Sequence, residues 1–96
     1  MIKVLRERYC SAANEKTVRE IEKATREQAK KQPGWVSGET LRDKADPTHT
    51  VIVATWESEK AFAAWESSEG RKKVMKDIAK LMAKPEKVTV FELLSK

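Results

Sequence analysis

From His49 to Glu57 the chain passes through Val51, Ile52, Val53, Ala54 and Trp56, apolar at consecutive positions. Alternate side chains of an extended strand point to opposite faces. Val51 and Val53 therefore face one way, and Ile52, Ala54 and Trp56 the other. A strand that is apolar on both faces has to be covered on both, which excludes an open sheet with one wet side. Trp35 to Arg42 reads as a strand that joins it through the polar turn Asp43-Lys44-Ala45-Asp46-Pro47-Thr48, making a hairpin. Residues 2–9 form another strand. Ile2 and Val4 share one of its faces, Leu5 and Tyr9 the other, and Arg6 and Glu7 put charge on both near the middle. Val88 to Leu94 is the last strand, with Val88 and Val90 opposed to Phe91 and Leu93.

Two helical segments lie between these strands. Asn14 is the expected cap of the first, with Glu15 in its first turn, where the helix dipole favours a carboxylate. Val18, Ile21, Thr25 and Gln28 or Ala29 form its thin apolar stripe. Glu15–Arg19, Glu22–Arg26 and Glu27–Lys31 are spaced as i,i+4 ion pairs. Gln32-Pro33-Gly34 ends this helix near Lys31. Ser58 caps the second. Phe62 and Trp65 share one of its faces, and Ser67-Ser68-Glu69-Gly70 breaks and restarts it. Val74, Met75, Ile78, Leu81 and Met82 then recur at three and four, until Pro85. The order strand, helix, strand, strand, helix, strand predicts an α+β fold of the ferredoxin-like βαββαβ kind, one domain over residues 1–96. Helices on one side of an antiparallel sheet leave its other face apolar and bare. A second copy of the chain, packed sheet to sheet as a homodimer, is the economical cover.

Other function classes are narrowed by composition. No apolar run approaches the roughly 20 residues of a membrane span, and charge occupies the start of the chain, where a signal peptide would be apolar. Cys10 is the single cysteine, so no intrachain disulfide framework or multi-Cys zinc cage is expected. A cytoplasmic protein follows most simply. Residues 1–70 balance 12 basic against 12 acidic side chains, whereas residues 71–96 carry 8 against 3. Lys72, Lys76 and Lys80 read as a solvated helix face. No aromatic residues are interleaved with them, so no nucleic-acid partner is expected; a basic interaction module over 71–87 ranks last.

Several segments carry a family likeness: Pro33-Gly34-Trp35 before a strand, Leu41-Arg42-Asp43 and Asp46-Pro47 around the turn, and Thr55-Trp56-Glu57-Ser58-Glu59-Lys60-Ala61-Phe62 followed by Trp65. With these the chain resembles the antibiotic biosynthesis monooxygenase family over nearly its whole length. The resemblance implies a dimeric α/β barrel, two βαββαβ units packed through their sheets. One branch of the family oxidises anthrone or quinol-type aromatics with molecular oxygen and neither metal nor flavin. Its Trp matches Trp56, while its Tyr and Asn positions hold Phe62 and Ile52. A second branch degrades heme. Its Trp matches Trp65, but Met75 stands where the iron-binding His would be, and strand one offers no Asn. Heme is therefore disfavoured as a cofactor, and heme degradation of the usual kind is not expected.

The expected function is a cofactor-independent monooxygenase acting on a small electron-rich aromatic. The alternative is a non-catalytic module of the same fold that binds a small ligand or heme. Trp56 and Trp65 are the candidate catalytic residues. Phe62 and Met75 are expected to line the pocket with them, and Arg6, Arg8 or Tyr9 to stabilise a substrate anion. Each has a packing alternative: the tryptophans as core, Met75 as filler of the apolar stripe. His49 is expected to be exposed, with no partner carboxylate, and Cys10 to be inert.

Overall fold

The computed structural model describes residues 1–96. Its elements are β1 (Ile2–Tyr9), α1 (Ala12–Ala29), β2 (Trp35–Arg42), β3 (His49–Trp56), α2 (Glu59–Glu66), α3 (Glu69–Ala79) and β4 (Lys87–Glu92). The four strands form one antiparallel sheet in the order β2-β3-β1-β4. This is the ferredoxin-like α+β arrangement, with its second helical segment split into α2 and α3.

Strand register decides which residues meet the helices. Ile2 lies opposite Trp56, Val4 opposite Ala54, Arg6 opposite Ile52 and Arg8 opposite Thr50. Ile2, Val4 and Trp56 form the buried core, with Trp35, Ala54, Ala61, Phe62 and Trp65 packed around it. The core is thin. Only 13 of 96 residues are buried, and six of these are polar or charged: Arg6, Arg8, Glu22, Thr50, Thr55 and Arg71. So small an apolar core holds a chain of this size weakly on its own.

The opposite face of the sheet carries Leu5, Val51, Val53, Leu41 and Phe91 with no helix over them. Leu41 and Phe91 remain about half exposed, at 49% and 48%. Outside that face Val88, Val90 and Leu94 are exposed too.

Local signals were answered unevenly. Ser58 and Ser68 cap α2 and α3, accepting from the backbone N–H groups of Ala61 and Arg71. Asn14 is not the cap of α1. That helix starts a turn earlier, after Ser11, because Ala12 and Ala13 are good helix formers. The Asn14 amide instead donates to the Leu81 carbonyl and ties α1 to the turn after α3. The i,i+4 ion pairs give way to other partners. Glu15 pairs with Arg42 of β2, Arg19 with Glu22, Lys30 with Glu27, and Arg26 donates to Thr40.

Gly34 adopts φ +88°, and a Cβ built there would lie 2.5 Å from the Ala61 Cβ. The turn before β2 thus touches α2, and the Gly34 carbonyl accepts from the Glu57 N–H at 2.8 Å. Gly34→Ala combines a left-handed backbone with a clash. Urea unfolding should show a loss of about 2–3 kcal/mol. An unchanged midpoint would mean that the turn relaxes freely.

Candidate active site

Between the sheet and its helices lies a cavity of about 80 Å3, partly open to solvent. Its apolar wall includes Val4, Trp35, Ala54, Trp56, Phe62, Trp65 and Ile78. Trp56 ends β3 and is 2% exposed. The Phe62 ring lies 6.1 Å from it, tilted by 58°. Helical spacing on α2 brings Phe62 and Trp65 over the same sheet surface.

The polar wall is a cluster of guanidinium groups. Period-two alternation turns Arg6 and Arg8 of β1 toward the helices, where they are 5% and 1% exposed. Buried charges of this kind must be paired. Arg6 donates from Nη1 to Glu86 Oε1 at 2.8 Å and from Nη2 to both oxygens of Glu66 at 2.8 and 2.9 Å. Arg8 donates from Nε to Glu86 Oε2 at 2.8 Å and from Nη1 to Glu22 Oε2 at 2.6 Å. Arg71, from the first turn of α3, reaches Glu66 Oε1 with Nε at 3.3 Å and lies over the Trp65 ring at 5.9 Å. Arg26 also lines the cavity, and Arg19 stands 3.1 Å from Glu22. Four guanidiniums, Arg6, Arg8, Arg26 and Arg71, line the cavity against the three carboxylates Glu22, Glu66 and Glu86, a surplus of one positive charge.

Burial and the neighbouring Arg6 guanidinium push Arg71 down to about 10, against the pull of Glu66. Burial alone would raise the Glu86 carboxyl, but Arg6 and Arg8 outweigh it and hold the group below its ordinary value.

Trp56, Trp65, Phe62, Arg6 and Arg8 all line this cavity. Met75 and Tyr9 do not. Met75 is half-buried on α3. Tyr9 lies on the helix-free face, because its parity in β1 is opposite to that of Arg6 and Arg8. There it stacks on His49 at 4.5 Å, and the Lys84 Nζ sits 3.8 Å from its ring centre. The sequence reading missed Glu22, Arg26, Trp35, Glu66, Arg71 and Glu86. Two arginines on an otherwise apolar strand face announce that carboxylates must meet them, but not from where. Arg71 was concealed in the basic run.

His49 departs from expectation. It is half-buried between two carboxylates, with Nδ1 2.9 Å from Asp43 Oδ2 and Nε2 3.2 Å from Glu7 Oε1. Register explains Glu7, two residues from Tyr9, the partner of His49. The bond to Asp43 raises the His49 pKa above 6.5, and the same bond lowers Asp43. Protonated His49 therefore favours the folded chain. The contribution is full below pH 6.5 and fades as pH rises through the folded pKa. An NMR titration of the ring should give a midpoint above 6.5, moving back toward it in Asp43→Asn. An unmoved midpoint in that variant would remove Asp43 as the cause.

The cavity contains no His, Cys or Met. No group of three His, Cys, Asp or Glu side chains converges to hold a metal ion. No helix is long and apolar enough to cross a membrane.

The family model described as antibiotic biosynthesis monooxygenase matches residues 1–77. No curated protein matches the chain. Among solved structures, one from Nitrosomonas europaea, provisionally named an antibiotic biosynthesis monooxygenase, is 21% identical. It superposes with a TM-score of 0.88 over 99% of this chain and 100% of its own. A provisionally named counterpart from Deinococcus radiodurans, 16% identical, gives 0.91 over 100% and 95%. A variant of SnoaB, a cofactor-independent oxygenase from Streptomyces nogalater, is 17% identical and gives 0.89 over 99% and 94%. At these identities the likeness shows a shared fold.

Proposed function

The chain belongs to the antibiotic biosynthesis monooxygenase family, and on that premise we propose that it is a cofactor-independent monooxygenase of a small electron-rich aromatic of the quinol type. One observation carries the reading: an aromatic-walled cavity backed by a guanidinium cluster with surplus positive charge. Trp56, Phe62 and Trp65 pack the substrate ring and exclude water. The positive wall favours the substrate's anionic form, which is the form that gives an electron to oxygen. In the balanced reaction a quinol and O2 give a hydroxyquinone and water. One ring C–H becomes C–OH, the quinol rises to the quinone level, and the second oxygen atom leaves as water. The substrate supplies all four electrons, so no external reductant enters. SnoaB, of the same fold, is described as cofactor-independent, which supports the reading. With no His, Cys or Met in its lining, the cavity offers none of the usual axial ligands for heme.

An oxygen electrode tests the proposal. Uptake should match quinol consumed one to one, catalase should return no oxygen, and labelled O2 should place one atom in the product. Binding of the quinol without uptake would leave a non-catalytic ligand-binding module.

We also infer a homodimer through the helix-free sheet face. The apolar residues there and the thin core behind them support it, and members of this family are typically dimers. Light scattering at micromolar concentration should give about twice 11.0 kDa, and Val53→Lys should leave a folded monomer. A wild-type mass near 11.0 kDa would overturn the inference.

A further inference from the structure

Arg6 commits both Nη atoms to carboxylates, and Arg8 commits Nε and Nη1. Arg71 is different. Its side chain is 5% exposed, it lines the cavity, and its buried Nη1 has no hydrogen-bond partner. No other cavity-lining guanidinium keeps a buried nitrogen unpartnered. A buried donor left unpaired is costly, and native structures retain one where something else completes it.

We propose that Arg71 is the anchor for a carboxylate carried on a single aromatic ring, which rests against Trp65, Phe62 and Trp56. This rests on the function proposed above and specifies its substrate class as aromatic hydroxy acids.

Three arguments select the ligand. A guanidinium pairs best with a planar carboxylate, through two parallel N–H···O bonds. A phenol free in solution titrates near pH 10 and arrives neutral at pH 7, so it brings no counter-charge with it, whereas a carboxylate arrives fully ionised. Burial has already lowered the Arg71 pKa, which marks a cation short of compensation. The third argument is size. A dry cavity of about 150 Å3 is known to take benzene. The present one, at about 80 Å3 and open on one side, holds the charged end of a ring whose remainder reaches the mouth. The cation–π stack of Arg71 on Trp65 then places charge and ring wall side by side.

The probes are 2,5-dihydroxybenzoate, a quinol carboxylate, and the neutral methylquinol with CH3 in place of the carboxylate. Affinities are read from calorimetry or tryptophan quenching for the wild type, Arg71→Gln and Arg71→Lys. The wild type should prefer the carboxylate. Arg71→Gln should weaken it roughly 10- to 100-fold and the neutral probe less than about threefold. Arg71→Lys, which keeps the charge but loses the fork, should fall between. Near-UV circular dichroism checks the fold, and if the glutamine variant fails that check, the lysine variant carries the comparison alone. Equal wild-type affinity for both probes, no wild-type binding of either, or equal losses for both probes in the folded variant would overturn the proposal. Oxygen uptake separates this outcome from the function reading. Charge-selective binding without uptake sinks the oxygenase and keeps the anchor. Uptake with the quinol carboxylate that survives Arg71→Gln undiminished sinks the anchor and keeps the oxygenase.

Discussion

Trp56→Ala should lower stability by about 3–5 kcal/mol, because it empties the centre of a thin core. Trp56 is 2% exposed and contacts the core pair Ile2 and Val4 as well as the Phe62 ring. For a chain of this size the loss amounts to a melting temperature lower by roughly 12 °C or more. Trp65 has the same chemistry in a different place. It is only half-buried at the cavity wall, so Trp65→Ala should cost no more than about 1–2 kcal/mol. Its aromatic-ligand affinity per folded molecule should fall by tenfold or so, the equivalent of about 1.4 kcal/mol. Urea unfolding of the two variants side by side, with ligand titration of the folded fractions, separates them. If Trp65→Ala is as destabilising as Trp56→Ala and ligand binding is unchanged, Trp65 is a core residue and the cavity wall has lost its main binding surface.

Arg8→Ala should be comparably damaging, at about 3–5 kcal/mol. The reason is what remains behind. Glu22, 8% exposed, would lose its 2.6 Å partner and keep only Arg19, whose contact with Oε1 lacks hydrogen-bond geometry. Glu86 would suffer less, since Arg6 still holds it. The double variant Arg8→Met with Glu22→Met should recover most of the loss, because an apolar pair of similar volume leaves no stranded charge. Equilibrium unfolding at low and high salt checks this. The buried cluster should be nearly indifferent to salt, unlike the exposed pair Glu27–Lys30. A loss below about 1 kcal/mol for Arg8→Ala would mean that water reaches Glu22 and that the cluster is less dry than its burial indicates.

Stability and the proposed activity draw on the same residues. The carboxylates that neutralise Arg6 and Arg8 keep them folded into the interior, and in doing so occupy the N–H groups a substrate would need. The positive field stays in the cavity while the free donor is supplied by Arg71. An anion bound as proposed would meet Arg71 within a prearranged potential, so reorganisation on binding should be small.

By itself, the sequence determined the elements and their order. Strand alternation in 2–9, 35–42 and 49–57 needs only the pleat, and the breaks at Pro33-Gly34 and Ser67–Gly70 need only backbone chemistry, so β1 to β3 and the split between α2 and α3 were legible residue by residue. The same parity put Trp56 with Ile52 and Ala54. Family motifs added Phe62 and Trp65. The tertiary structure alone decided which charges meet. Glu22, Glu66 and Glu86 lie 14, 60 and 80 residues from the arginines they hold, and nothing local marks them off from the chain's other glutamates. The position of Tyr9, on the face away from the cavity, depends on which side of the sheet the helices cover. Periodicity separates the two faces of a strand but does not say which one the helices will take. The same holds for His49, whose carboxylate partners come from a turn and a neighbouring strand. Local patterns follow from covalent geometry and are written in the chain, whereas long-range charge pairing follows from register and packing, which exist only once the sheet has closed.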